Sequence, residues 1–83
     1  MEAQVKLAEL ALLEDKFDEA VLWFSKAADQ DDADAAFNLG SLYYLGRGVA
    51  KDEVKAVEYY RKAARLGMRE ANDVLKSLGQ EPE

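Results

Sequence analysis

The sequence predicts an all-α fold: an α-solenoid fragment of two antiparallel helical hairpins plus a C-terminal capping helix. Three observations predict it. Apolar residues recur at three- and four-residue spacing, the period of a helix with one buried face. Asp and Gly punctuate those stretches where helices start and stop. The chain also repeats itself 36 residues on. Ala20, Val21, Trp23, Phe24 and Lys26-Ala27-Ala28 stand opposite Ala56, Val57, Tyr59, Tyr60 and Lys62-Ala63-Ala64, and Ala35, Leu39 and Leu42 stand opposite Ala71, Leu75 and Leu78. Such a period marks stacked helical units, each needing the next to cover its apolar face.

The first helix is expected over Glu2–Leu13, where Ala3, Leu7 and Leu10, with Ala8 and Ala11, form an apolar stripe. Glu14-Asp15-Lys16 breaks it. Asp18 is placed as the N-cap of a second helix over Glu19–Asp29, its carboxylate accepting unpaired backbone N–H groups. Asp32 caps a third helix over Ala33–Leu45. Gly40 lies inside that helix at a cost of roughly 1 kcal/mol against alanine, so it is read as permitting close approach of another helix. Gly46-Arg47-Gly48 ends the helix and Val49 turns back toward the core. Asp52 caps a fourth helix over Glu53–Arg65, with Val54, Ala56, Val57, Tyr59, Tyr60, Ala63 and Ala64 as its apolar set. Gly67 stops it, and a short fifth helix over Arg69–Leu78 ends at Gly79. Residues 1–79 are read as one helical-repeat domain, with hairpins over 2–30 and 33–67, a capping helix over 69–78 and a flexible tail over 80–83. The spacing from Ala8 to Ala20 is shorter than that from Gly40 to Ala56, so the second turn is expected to be about four residues longer than the first.

Composition narrows the chemistry. A chain of 83 residues that is 49% hydrophobic and 34% charged is a folding chain, not a disordered one. There is no cysteine and no histidine. Disulfides and thiolate chemistry are therefore excluded, and with them goes the commonest general base and metal ligand. Ser25, Ser41 and Ser77 have no imidazole to activate them, and the carboxylate pairs Glu14/Asp15 and Asp18/Glu19 sit in polar helix-end settings. Asp29, Asp31, Asp32 and Asp34 suggest calcium, but Ala33 takes a ligand place and Asp34 the glycine place of the EF-hand spacing. They are read as a turn and a cap, and no cofactor or metal is expected. Gly46-Arg47-Gly48 lacks the lysine and the preceding strand of a phosphate loop. The chain is thus read as no enzyme.

The net charge is −6. Residues 1–31 carry −5, residues 32–67 carry +1 and residues 68–83 carry −2. No basic footprint exists for nucleic acid or for an anionic membrane. No apolar run nears the roughly 18 residues of a membrane span, and no secretory leader is visible, so a cytoplasmic location is the default expectation.

The segment from Ala36 to Gly67 closely resembles a Sel1-like repeat. The resemblance rests on Leu39-Gly40, Leu42-Tyr43, Gly46-Arg47-Gly48-Val49, Asp52, Lys55-Ala56, Tyr59-Tyr60, Lys62-Ala63-Ala64 and Gly67. The first copy departs from that pattern, because it has no Gly-x-Gly-Val turn. With Leu7-Ala8, Phe17-Asp18-Glu19-Ala20, Phe24 and Lys26-Ala27 it is more similar to a plain tetratricopeptide unit. The two families share a superhelical architecture, and the resemblance covers about residues 3–78.

Glu2, Val5, Glu9 and Leu12 form one stripe of the first helix, and Asp34, Phe37, Ser41 and Tyr44 form the same stripe of the third. The resemblance implies that this stripe lies on the concave face, where related repeats bind extended peptides or partner helices. Val5, Glu9, Leu12, Phe37, Ser41 and Tyr44 are accordingly the candidate partner-binding residues, the apolar ones expected as exposed anchors ringed by carboxylates. No lysine lies on the stripe, so an apolar or basic protein or peptide suits it better than an acidic one. The expected function is a non-catalytic protein–protein interaction module or adaptor. The alternative is a self-assembling structural or engineered mini-repeat without an evolved ligand. Two and a half repeats fall short of the three that such arrays usually need, so either the fifth helix suffices as a cap or another copy covers an end, as in a homo-oligomer.

Overall fold

The computed structural model describes residues 2–81, with side-chain surroundings from residue 6 onward. Five helices follow in order: α1 (Glu2–Leu13), α2 (Phe17–Asp29), α3 (Ala33–Leu45), α4 (Glu53–Arg65) and α5 (Arg69–Ser77). Each packs chiefly on the next. The α1–α2, α2–α3 and α4–α5 connections are short. The α3–α4 connection, over 46–52, is four residues longer than that of the first hairpin, over 14–16. Among the described residues no helix is long and apolar enough to cross a membrane.

The seam between helices is built from alanine. Ala8, Ala11, Ala20, Ala27, Ala28, Ala35 and Ala36 are buried in one cluster with Phe24, Leu39 and Leu42. Small side chains let backbones approach, so a few large residues fill what remains. Among the described residues only Phe24, Leu39 and Leu75 are large and fully enclosed. A second cluster holds Ala56, Tyr60 and Leu75, and Phe37, Tyr43 and Ala64 pack on both clusters. Gly40 acts as the sequence suggests. A Cβ there would lie 3.1 Å from the Ala56 carbonyl oxygen and 3.1 Å from the Tyr60 ring.

Asp32 and Asp52 are N-caps, accepting from the Ala35 and Lys55 amides at 2.9 and 3.0 Å. Asp18 is not. Helix α2 begins two residues earlier than expected, at Phe17, and Lys16 stands at its cap without a side-chain bond. The cause is the preceding turn. The Lys16 amide donates to the Ala11 carbonyl at 2.8 Å, closing α1 so tightly that the chain turns helical again at once. Asp18 and Glu19 then sit in the first turn of α2, where negative charge favours the helix dipole. Helix α5 ends at Ser77 with Leu78 as its C-cap, one residue before the expected end.

All five helices end on the same backbone device, a left-handed residue after the last turn. Glycine fills that place after α3, α4 and α5, but Asp15 and Asp31 fill it after α1 and α2, at φ 58° and 63°. The left-handed region costs an L-residue roughly 1–2 kcal/mol. Asp15→Gly is therefore expected to raise stability by about 0.5–1 kcal/mol after the chain-entropy cost of glycine. The urea midpoint followed by circular dichroism measures it.

Candidate functional site

The candidate residues on α3 are held by the second hairpin. Ser41 Oγ donates to the Phe37 carbonyl at 3.3 Å and lies 3.0 Å from the Tyr60 hydroxyl. Tyr60 is buried, and this contact supplies its phenol with a partner inside the fold. The Phe37 ring meets the Tyr60 ring edge-on at 5.4 Å. Tyr44, one turn on, packs against the second cluster, with Lys51 Nζ 5.9 Å from its ring centre. Phe37, Ser41 and Tyr44 thus share one face of α3 and are braced from behind by α4.

Their exposure differs from expectation. Leu12, Phe37 and Tyr44 are half-buried rather than open anchors, since each also rests on the core. Glu9 is exposed on α1. The Val5 side chain lies outside the described residues. At the same register on α5 stand Glu70, Asp73 and Ser77, and Ser77 Oγ donates to the Asp73 carbonyl at 3.1 Å as Ser41 does to Phe37. Glu9, Asp34, Glu70 and Asp73 are all exposed. Among the described residues of this stripe there is no base.

Tyr44 also lines a groove of about 590 Å³, together with Val54, Val57, Arg61, Ser77 and Leu78. The groove exists because α5 has 9 residues where α3 has 13. Gly79, at φ 77°, stops α5 a turn early and leaves the start of α4 uncovered. Val54, counted in the apolar set of the fourth helix, is exposed for this reason. Sequence reasoning missed the groove, although Gly79 was the signal. It interrupts the fifth helix at the position where the third continues through Tyr43 and Tyr44.

Elsewhere aromatic residues brace the two helices of the second hairpin against each other. Tyr43 and Tyr59 stack at 5.6 Å, and Lys55 lies 5.4 Å from the Tyr43 ring centre. Burial, with Tyr43 beside it, raises the Tyr59 hydroxyl above the ordinary phenol range. Lys62 Nζ reaches Asp31 at 3.6 Å across the two hairpins. Among the described residues no group of three or more carboxylates is placed to hold a metal ion.

The pattern of the Sel1 repeat matches residues 2–32 and again residues 33–68. The chain is similar to the rat protein named DAP3-binding cell death enhancer 1, at 38% identity over 79 residues, covering 93% of this chain and 16% of that one. It is also similar to Activator of C kinase protein 1 of Saccharomyces cerevisiae, at 44% identity over 54 residues, 65% of this chain and 9% of that one. Among solved structures, a Sel1 repeat protein from Oxalobacter formigenes matches with a TM-score of 0.78 and 33% identity, over 96% of this chain and 38% of that one. The chain thus spans less than a fifth of the length of these two curated relatives.

Proposed function

This chain belongs to the Sel1 repeat family, and we propose that it is a non-catalytic protein-interaction module that binds a peptide or partner helix along the stripe of Glu9, Leu12, Phe37, Ser41 and Tyr44. The observation that carries the reading is the pairing of braced aromatic side chains with exposed carboxylates on one register. The Phe37 ring rests on Tyr60 and Tyr44 packs on the second cluster, so little rotamer freedom is left to lose on binding. Glu9, Asp34, Glu70 and Asp73 border them without a neighbouring base on the stripe. An apolar segment flanked by Lys or Arg fits that chemistry. The relatives' names support a protein partner in kind: one is named for binding DAP3, the other as an activator of C kinase.

The test uses a partner isolated with the wild-type chain. Calorimetry should show Tyr44→Ser and Phe37→Ser each weakening its binding at least tenfold, a change of about 1.4 kcal/mol. Leu22→Ser, on exposed surface of α2, should leave affinity unchanged. Circular dichroism confirms that each variant is folded. Wild-type affinity in both folded stripe variants sinks the concave-face reading.

A further inference from the structure

Met68 stands where the repeat has an aspartate one copy earlier. It lies 36 residues beyond Asp32. Its backbone holds the same N-cap conformation, φ −85° and ψ 108° against −84° and 115°. Asp32 uses that conformation to accept from the Ala35 amide. Met68 has no such acceptor, and α5 begins without a side-chain cap. The thioether instead packs against the alanine-built cluster that includes Ala35, Ala36, Ala63 and Ala71. An apolar contact therefore holds the start of α5 where a capping bond holds the start of α3. With 9 residues, α5 has little else to hold it.

That contact is open to small solutes. Met68 is half-buried and borders a cavity of about 300 Å³, together with Ala33, Gly67 and Glu70. One water takes roughly 30 Å³ of the liquid, so hydrogen peroxide has room to enter. The chain has no cysteine, and its methionines are Met1 and Met68. We propose that Met68 is an oxidation site, and that its sulfoxide unseats the start of α5 from the second hairpin. In the step, the sulfur lone pair takes one peroxide oxygen. The O–O bond breaks, an S–O bond forms, and the other oxygen leaves as water with both hydrogens. Sulfur is oxidised by two electrons and the peroxide is reduced by two. The product puts a strong hydrogen-bond acceptor on an apolar contact, and alanine side chains donate nothing to it. The oxygen finds a partner by turning out to water or to the first-turn amides of α5, as Asp32 does on α3. Either way the sulfur leaves the cluster. Leu75, enclosed on the same helix beside Ala56 and Tyr60, carries the loosening into the second cluster. The proposal does not rest on peptide binding along the α1–α3 stripe.

The full chain is treated with hydrogen peroxide at neutral pH, and peptide mapping by mass spectrometry follows each methionine. Met68 in the folded chain should oxidise at a rate within about tenfold of its rate in urea. Hydrogen exchange on the oxidised chain should then quicken several-fold over residues 69–77 and stay unchanged over α2, and the melting temperature by circular dichroism should fall. Met68→Leu keeps an apolar contact and cannot be oxidised there. The same treatment should leave its exchange and melting as they were, although Met1 is still oxidised. Protection of Met68 beyond tenfold overturns the proposal. So does an oxidised chain whose α5 exchanges like the untreated one, and so does an equal loss in peroxide-treated Met68→Leu, which places the lesion elsewhere.

Discussion

Replacing Phe24 with alanine should cost about 3–5 kcal/mol and leave much of the chain unfolded at room temperature. Phe24 is wholly enclosed, and it is the largest such side chain in the alanine-built seam. Alanines cannot swing inward to fill the space it would leave, so the cavity would stay open and the penalty should fall at the high end. A chain of this size is stabilised by about 4–12 kcal/mol in all, at 0.05–0.15 kcal/mol per residue. Urea titration with circular dichroism gives the number, and Trp23, half-buried beside it, offers a fluorescence check. A loss below about 1 kcal/mol would mean that the seam closes over the gap, contrary to the cavity argument.

The equivalent place in the second hairpin holds Tyr60. Its hydroxyl is tolerated because Ser41 lies 3.0 Å away. At the matching position of α1, serine is replaced by Glu9, which points to solvent. A phenylalanine needs no such partner, so the difference between the two copies follows from hydrogen-bond supply.

The second large effect is expected at Gly48. It has φ +74°, and a Cβ there would overlap the Phe17 carbonyl group and approach the Asp18 nitrogen at 2.7 Å. These are backbone atoms at the start of α2, and they cannot move aside without displacing the helix. Gly48→Ala should therefore cost about 2–4 kcal/mol, the sum of left-handed strain and overpacking. Gly79→Ala is the control. Its φ is +77°, but nothing lies within 4 Å of the added methyl, so only the strain of about 1–2 kcal/mol should appear. Equal losses in the two variants would show that the contact between the long turn and α2 contributes nothing.

That contact joins the two hairpins. Arg47 adds to it, with its guanidinium 5.3 Å from the Phe17 ring centre. In the sequence Gly46 and Gly48 signal a turn, and the turn is there. What they do not signal is that Gly48 rests on residue 17, because no local pattern links positions 31 residues apart. Asp18 shows the same limit in reverse. It has the chemistry of an N-cap, yet the closure of α1 on Lys16 moved the start of α2 past it.

The candidate site was legible to a similar degree. Helical spacing put Phe37, Ser41 and Tyr44 on one side of α3, and they are together. How far each side chain stands clear of the fold depends on Tyr60 and on α5, which belong to other elements. Helix α1 carries two apolar sides, Ala8/Ala11 and Leu7/Leu10. Helical spacing merges them into one apolar stripe, and the structure corrects this: Ala8 and Ala11 are buried against α2, while Leu7 and Leu10 are exposed, because the alanine side allows the closer approach of the neighbouring helix.

The sequence by itself determined five helices, their caps at Asp32 and Asp52, the 36-residue repeat and the close approach at Gly40. Each of these follows from residues within a few turns of one another or from the repetition itself. The tertiary structure decided which side of α1 is buried, what the long turn touches, and that an early stop in α5 opens a groove over Tyr44 and Val54. The physical reason is that burial is a property of pairs of elements. A helix can carry an apolar face in its own sequence, but only a neighbour determines whether that face is core or surface.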